Sequence, residues 1–261
     1  MNQRVIEMLP NNDLSFQLWS AARAADPLEQ QLRNLKSFGY TDVQPYHTQY
    51  DDPEGMKRLI DEIGLTAKTG HFNVSMFEDE FDRVIAAAKL LGMHLLVAPY
   101  IQPADRPSDV AGWQRYGRLL QGYASRCESR GYTFAWHNHE FEFEVLPDGS
   151  YPIEHVLGEH LLWEADVAWV LRADVDPTPW LERYAGRIPA VHVKDIAPKK
   201  AVVTEGGWAD VGEGIVDWPT LWAASVAAGS QLMVAEHDEP DDYVRFARTS
   251  AMAMKRLAGV A

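Results

Sequence analysis

The sequence contains a single cysteine, Cys127, among its 261 residues. No intramolecular disulfide can therefore form, and a reducing compartment such as the cytoplasm fits this composition. No apolar run approaches the roughly 20 residues that a membrane-spanning helix needs. The first residues, MNQRVIEMLPNN, have no apolar core typical of a signal peptide. We therefore expect a cytoplasmic protein with no membrane partner.

Positive charge is also scarce. The 24 Lys and Arg residues face 38 Asp and Glu residues, which gives a formal net charge of −14 and a pI near 5.0. A surface this acidic repels the phosphate backbone of nucleic acid, so we expect no nucleic-acid partner. The apolar fraction of 46% is ordinary for a globular protein and is sufficient for a sizeable core.

Short apolar runs alternate with longer amphipathic ones along the whole chain. Eight runs are typical of strands: LSFQLW, TDVQPY, LTAKTGHF, MHLLVAPY, YTFAWHN, LLWEADVAW, IPAVHVKD and QLMVAEHD. The intervening segments have apolar residues at helical spacing, as in PLEQQLRNLKSFG, EDEFDRVIAAAKLLG and the stretch from about 109 to 131.

Strict alternation of strands and helices indicates a parallel sheet. Eight such units of about 30 residues predict an α/β fold, a single (β/α)₈ TIM barrel over residues 1–261. An open doubly wound sheet is the alternative. The first strand-to-helix turn, WSAARAADP, lacks the glycine-rich phosphate loop of dinucleotide-binding folds, so the alternative is less favoured.

Polar residues concentrate at the carboxyl ends of the predicted strands, where barrel enzymes place their active sites. Six of the nine histidines lie at or just past these ends, namely His47, His71, His137, His139, His192 and His237. Glu164 shares a strand face with Asp166, one layer deeper in the barrel, and the sequence gives no account of it.

Strands six, seven and eight each contribute one residue to a mixed nitrogen and oxygen site: Asp166, His192 and Glu236. Such ligands suit Mn²⁺, Mg²⁺, Zn²⁺ or Co²⁺. The fourth ligand is expected from strand five, in the stretch WHNHEFEF, where both Glu142 and His137 are candidates. Asn138 and His139 of the same stretch are interpreted as groups that contact substrate or transfer protons.

The motifs WHNHEFEF, HVKD, VGEGIVDWP and VAEHDEP resemble those of the sugar phosphate isomerase/epimerase family, the xylose-isomerase-like barrels. The subgroup with a His-Asn-His-x-x-Glu-Phe signature is the most similar. The resemblance implies one divalent ion, with manganese favoured, held by Glu142, Asp166, His192 and Glu236. This chain departs from the family at Trp136 and His137, where many relatives carry a glutamate, and at Trp169, where they often carry a histidine.

The chemistry that this resemblance implies is removal of a proton next to a carbonyl, with the resulting enediolate stabilised by the ion. Five residues are predicted to be catalytic: Glu142, Glu236, His137, His139 and Lys194. Seven are predicted to bind substrate: Trp19, Gln44, His71, Tyr100, Asn138, Trp169 and Asp238. The substrate is expected to be a small sugar, keto-sugar or cyclitol. A phosphorylated sugar is less favoured, because no arginine-rich pocket is evident in the sequence.

Three other functions remain as alternatives. A lyase or dehydratase acting on a keto-inositol or a 3-keto-glycoside would start with the same proton abstraction. An enzyme like endonuclease IV shares the fold but requires a basic groove, which the net charge of −14 disfavours. A sugar-binding barrel without catalysis is disfavoured by the intact Asp166, His192 and Glu236. A homo-oligomer is compatible with the sequence.

Overall fold

The predicted strands are present and form one sheet. The computed structural model describes residues 14–198 and 205–259. The strands of the main sheet are β1 Leu14–Gln17, β2 Asp42–Gln44, β3 Thr69–His71, β4 Leu95–Ala98, β5 Thr133–His137, β6 Leu162–Asp166, β7 Ala190–Val193 and β10 Leu232–Ala235. They are parallel and pair in the order β2-β1-β10-β7-β6-β5-β4-β3. A separate antiparallel pair consists of β8 Asp195–Ile196 and β9 Trp208–Ala209.

The two outer strands of this order, β2 and β3, meet and close the sheet into a barrel. The Val43 N–H donates to the Thr66 carbonyl over 2.9 Å, and the His71 N–H donates to the Pro45 carbonyl over 2.8 Å. These bonds give hydrogen-bond partners to backbone groups that an open sheet would leave exposed. The predicted (β/α)₈ barrel is confirmed, and the open doubly wound sheet is not formed.

Helices surround the barrel and follow the strands in sequence. They are α1 Leu28–Phe38, α2 Pro53–Ile63, α3 Val74–Asp79, α4 Phe81–Leu91, α5 Val110–Ser129, α6 Pro152–Leu157, α7 Val167–Arg172, α8 Thr178–Arg183, α9 Trp218–Ala227 and α10 Tyr243–Leu257. The predicted closing glycines function as C-caps: Gly39 and Gly92 adopt φ of 100° and 77°, a conformation that glycine tolerates best. In the described part of the chain, every helix is too short or too polar to cross a bilayer.

Two apolar clusters fill the molecule. The larger lies between the helices and the outer face of the sheet and includes Val191 and Val193 of β7. The smaller fills the barrel interior and consists of Leu95, Val97, Ala135, Ala190, Leu232 and Val234. Because side chains alternate along a strand, the interior residues of β7 and β10 are followed toward the carboxyl ends by His192 and Glu236. An apolar base therefore supports a polar upper layer.

The structure differs from the prediction at the end of β6. The sequence LLWEADVAW was predicted to be all strand, but Val167–Arg172 forms α7. The cause is Asp166, whose Oδ1 accepts the N–H groups of Ala168 and Trp169 over 3.0 Å each and thereby caps the helix. The strand ends at the residue that the sequence analysis assigned to metal binding.

Two glycines of α5 provide a matched test of the packing around the barrel. A Cβ at Gly117 would lie 2.1 Å from the His155 carbonyl oxygen of α6, whereas a Cβ at Gly122 would have no neighbour within 4 Å. We expect Gly117→Ala to destabilise the fold by about 1–3 kcal/mol through overpacking. Gly122→Ala should stabilise it by about 0.5–1 kcal/mol, because alanine is the better helix former. Denaturant unfolding measures both, and equal stabilisation by the two variants would contradict the close approach of α5 and α6.

Candidate metal centre and active site

Four potential metal ligands meet where four neighbouring strands end. His137 and Asp166 are the last residues of β5 and β6, His192 lies in β7, and Glu236 directly follows β10. One ligand atom from each lies within 4.8 Å of the others, and all four residues are buried. In the strand register, His192 of β7 lies beside Asp166 of β6 on one side and beside Val234 of β10 on the other. Glu236 is two residues after Val234, so the register brings it to the same end of the barrel.

Buried atoms without partners show that this group fits a cation. Among the described residues, His137 Nδ1 is buried without a hydrogen-bond partner, and the equally buried Asp166 Oδ2 accepts no hydrogen bond, although Lys194 Nζ lies 3.1 Å away. Burying a polar atom without a hydrogen bond is costly, and a cation held between these two atoms would remove that cost. His192 Nδ1 lies 2.8 Å from Glu236 Oε2 and 3.8 Å from Asp166 Oδ2. Two imidazoles with two carboxylates suit Mn²⁺, Co²⁺ and Zn²⁺.

Lys194 places a positive charge beside the ligand carboxylates. Its fully buried Nζ lies 3.1 Å from Asp166 Oδ2, 2.8 Å from Glu236 Oε2 and 2.9 Å from Asp238 Oδ2. Burial alone would lower the pKa of Lys194, but Asp166, Asp238 and Glu236 outweigh burial and raise that pKa. The charges that contact Lys194 are thus those of two candidate ligands, Asp166 and Glu236, and of Asp238.

The charge of His192 follows the same balance. Burial lowers the pKa of His192, but Glu236 and Glu164 outweigh burial and raise the pKa to about 10. The pKa of Glu236 lies well below its usual value, because Lys194 and His192 overcome the effect of burial on the carboxylate. In the metal-free protein, an ammonium and an imidazolium thus neutralise carboxylates that a divalent ion would otherwise neutralise.

Glu142 lies outside the group of potential ligands. Its carboxylate accepts the Trp136 Nε1–H over 2.9 Å and the His139 backbone N–H over 2.8 Å, so both oxygens are engaged. Burial raises the pKa of Glu142 to about 8. The sequence left the strand-five ligand open between Glu142 and His137. The structure brings His137, and not Glu142, to the other three residues.

Asn138 joins β5 to β6 and is completely buried. Its Oδ1 accepts the Trp163 Nε1–H and the Asp166 N–H over 2.8 Å each, and its Nδ2 donates to the Asp166 carbonyl over 3.2 Å. The residue was predicted to contact substrate. The structure instead shows it fixing the backbone of Asp166 from the side away from the cavity.

A cavity of about 590 Å³ reaches two of the four candidate ligands, His137 and Glu236. Of the residues predicted to be functional, eight line it: Trp19, His71, Tyr100, His137, His139, Trp169, Glu236 and Asp238. The other six are buried and are not among its lining residues: Gln44, Asn138, Glu142, Asp166, His192 and Lys194. The volume is that of a pocket for a small organic molecule.

His139 is the uncharged imidazole of the cavity wall. Burial, followed by repulsion from Lys194, lowers the pKa of His139 to about 3. Its Nδ1 is buried without a hydrogen-bond partner. The ring lies between Tyr100 and Trp169, with centroids at 4.9 Å and 5.2 Å. Burial and the nearby positive charge of Lys194 therefore both favour the uncharged form of His139.

The cavity is lined by three arginines that the sequence pattern did not predict. Arg106 and Arg172 line it, together with Arg23, which is paired with Glu239 over 2.8 Å. The Arg106 guanidinium lies 3.5 Å from the Phe141 ring centroid, and that of Arg172 lies 4.2 Å from the Trp208 ring centroid. All three arginines are in loops or short helices far apart in the sequence, so spacing alone gave no signal. The earlier expectation of no arginine-rich pocket is wrong on this point.

The long loop after β7 also contributes to the cavity. Residues 199–204 of this loop lie outside the described part of the chain. Trp208 lines the cavity, and the centroid of its ring lies 4.7 Å from the Lys194 ammonium. Glu205 pairs with Arg245 over 2.7 Å.

A family model for the xylose isomerase-like TIM barrel matches residues 32–249. The chain belongs to this family. It is 24% identical over 269 residues to the rhizopine catabolism protein MocC of Rhizobium meliloti, with 90% of this chain and 83% of that protein covered.

Solved structures share the fold over nearly the whole chain. A sugar phosphate isomerase/epimerase from Parabacteroides distasonis superposes with a TM-score of 0.78 at 18% identity, and covers 97% of this chain and 96% of its own. The IolI protein, whose crystal structure contains a zinc atom, superposes with a TM-score of 0.74 at 13% identity, with 95% and 98% covered.

The role of Asn138 can be tested by its removal. In Asn138→Ala, the buried Trp163 Nε1–H and Asp166 N–H lose their acceptor, and each unpaired donor costs about 1–3 kcal/mol. We expect a loss of about 2–5 kcal/mol in the free energy of unfolding. Asn73→Ala is the matched control, because Asn73 is exposed and makes no capping hydrogen bond with its side chain. Equal unfolding midpoints for the two variants in urea would exclude the structural role of Asn138.

Proposed function

We propose that this chain is a divalent-metal-dependent isomerase or epimerase of a sugar, keto-sugar or cyclitol. The reaction would begin with removal of a proton from the carbon next to a carbonyl group. The observation that carries the proposal is the buried set of His137, Asp166, His192 and Glu236, of which His137 and Glu236 line the cavity together with His139.

The four buried residues would hold the ion, for which manganese is our first expectation and zinc, cobalt and magnesium are the alternatives. An ion bound there would polarise the substrate carbonyl and stabilise the negative charge that develops on its oxygen. Lys194 adds a fixed positive charge at the same place, since its Nζ lies within 3.1 Å of the ligand oxygens of Asp166 and Glu236.

His139 is proposed to take the proton from carbon. His139 lines the cavity, and its Nδ1 has no hydrogen-bond partner among the described residues, so this nitrogen is available to a proton of a bound substrate. His71 and Glu236 also line the cavity and are the candidates to return a proton to the substrate. Tyr100 and Trp169 flank His139 and present aromatic surface against which the apolar face of a sugar ring can pack.

The comparisons support a small-molecule substrate of this class. The family model and the isomerase/epimerase of Parabacteroides distasonis share the barrel, and the zinc atom in IolI shows that a barrel of this shape accommodates a divalent ion. The relation to a rhizopine catabolism protein favours a catabolic substrate.

The metal site is tested by two ligand variants. We expect purified protein to carry about one divalent ion per chain after incubation with Mn²⁺ or Zn²⁺. Asp166→Asn and His192→Ala should lose it, because each removes one of four ligands. His160→Ala is the control, since the His160 side chain is 74% exposed, lies beside Glu159 and is outside the group of candidate ligands. Elemental analysis after gel filtration decides, and full retention of the ion by both ligand variants would refute the assignment.

The proton-transfer role is tested by His139→Gln. This variant should keep the ion, because His139 is not among the four ligands. It should lose about 10²–10⁴-fold in the rate of deuterium exchange from solvent into a keto-sugar, the usual contribution of a general base. Mass spectrometry of the sugar measures exchange and also detects a product that has lost water, which would indicate a lyase instead. Exchange at the wild-type rate would exclude His139 as the base.

A further inference from the structure

A buried layer of polar side chains lies beneath the candidate ligands, and the proposed reaction does not use it. Gln17, Gln44 and Glu164 are fully buried and come from β1, β2 and β6. Barrel interiors are normally packed with branched apolar side chains at this depth. Burying an amide or a carboxylate is costly unless its hydrogen bonds are satisfied, so the layer requires an explanation.

The direction of each hydrogen bond in this layer follows from a single backbone group. The Trp19 N–H donates to Gln17 over 3.0 Å, so the accepting atom must be the amide oxygen Oε1. The other amide atom of Gln17, Nε2, therefore donates to Gln44 Oε1 over 2.6 Å. Gln44 Nε2 in turn donates to Glu164 Oε1 over 2.5 Å. Neither amide can be reversed without placing two donors or two acceptors opposite each other.

This fixed order determines where His192 carries its proton. Its Nε2 lies 3.0 Å from Gln44 Oε1 and 3.2 Å from Glu164 Oε2, and both of these atoms are acceptors. Nε2 must therefore bear the hydrogen. The opposite ring atom, Nδ1, faces Glu236 and Asp166, which are the carboxylates of the candidate metal centre.

Glu164 itself is unsuited to be a ligand in this arrangement. Its Oε1 is engaged by Gln44, and its Oε2 accepts the Nε2–H of His71 over 2.6 Å in addition to that of His192. The residues His71, His137, Glu164 and His192 are also close enough together to hold an ion. A second ion there would have to displace the proton that His192 donates to Glu164 and Gln44.

We propose that Glu164, oriented by Gln44 and Gln17, is a positioning residue that holds His192 with Nε2–H inward and Nδ1 available to the divalent ion. This inference rests on the metal site of the proposed function. Outer partners of a ligating histidine fix its tautomer and ring orientation, and their loss typically weakens metal binding about 10–100-fold. The same carboxylate also orients His71, which lines the cavity.

The test is titration calorimetry of Zn²⁺ into wild type, Glu164→Gln and Asp42→Asn. Asp42 is a matched control: it is a fully buried carboxylate on β2, and its oxygens accept from Ser15, Thr66 and the Lys68 N–H, away from the metal centre. We expect Glu164→Gln to bind one ion per chain about 10–100-fold more weakly, while Asp42→Asn keeps the wild-type affinity. Gln44→Met, which removes the other acceptor of His192 Nε2–H, should weaken binding in the same direction and serves if Glu164→Gln does not fold.

The position of the ring proton of His192 is a second measurement, and a general loss of stability would not change it. In Zn²⁺-loaded protein labelled with [¹⁵N]histidine, the His192 signal, assigned by its loss in His192→Asn, should show a slowly exchanging proton on Nε2. In Glu164→Gln, that proton should exchange faster. A proton on Nδ1, or wild-type affinity in Glu164→Gln, would overturn the role of Glu164 alone.

Two further outcomes are distinct. A wild-type protein that binds two ions, of which Glu164→Gln loses one, would make Glu164 a ligand of a second site and overturn the positioning role. A wild-type protein that binds no divalent ion would overturn the proposed function together with this inference.

Discussion

Opposite charges buried together at the top of the barrel are the constraint on which the site depends. The side chains of Glu164 and Asp166 are completely buried, as are those of His192 and Lys194, and Glu236 is almost so. A buried charge without a partner is strongly destabilising, whereas a set that is paired and hydrogen-bonded can be tolerated. The carboxylates at the ends of β6 and β10 are therefore paired with His192 and Lys194 at the end of β7, which lies between them.

The same buried charges also affect the groups that are proposed to act on substrate, namely His139 and Lys194. Lys194 neutralises the ligand carboxylates, and the same positive charge adds to burial in lowering the pKa of His139. The loop that follows β7 contributes Trp208, whose ring lies against the Lys194 ammonium. The candidate ligand carboxylates, His139 and Trp208 therefore all lie close enough to Lys194 for a change of its charge to affect all three.

The sequence predicted the barrel well because alternation of strand and helix patterns is a local property. It also predicted that Asp166, His192 and Glu236 would lie close together, since strand ends converge on one face of any parallel barrel. It could not account for Glu164, whose partners His71 and Gln44 are 93 and 120 residues away in the chain. It also could not place Glu142, because the turn after β5 directs that carboxylate to Trp136 and the His139 backbone. The partners of Glu164 and Glu142 depend on the orientation of their side chains, which the spacing of apolar residues in a sequence does not reveal.

The cap that Asp166 forms on α7 has a consequence for the choice of ion. Oδ1 already accepts two backbone N–H groups, which leaves only Oδ2 for coordination. Calcium takes about six to eight oxygen ligands and often binds carboxylates through both oxygens. In the proposed centre, two of the four donors would be imidazoles and one carboxylate would offer a single oxygen, a set that disfavours calcium. The helix cap at the end of β6 would therefore contribute to the choice of ion by leaving Asp166 one oxygen for it.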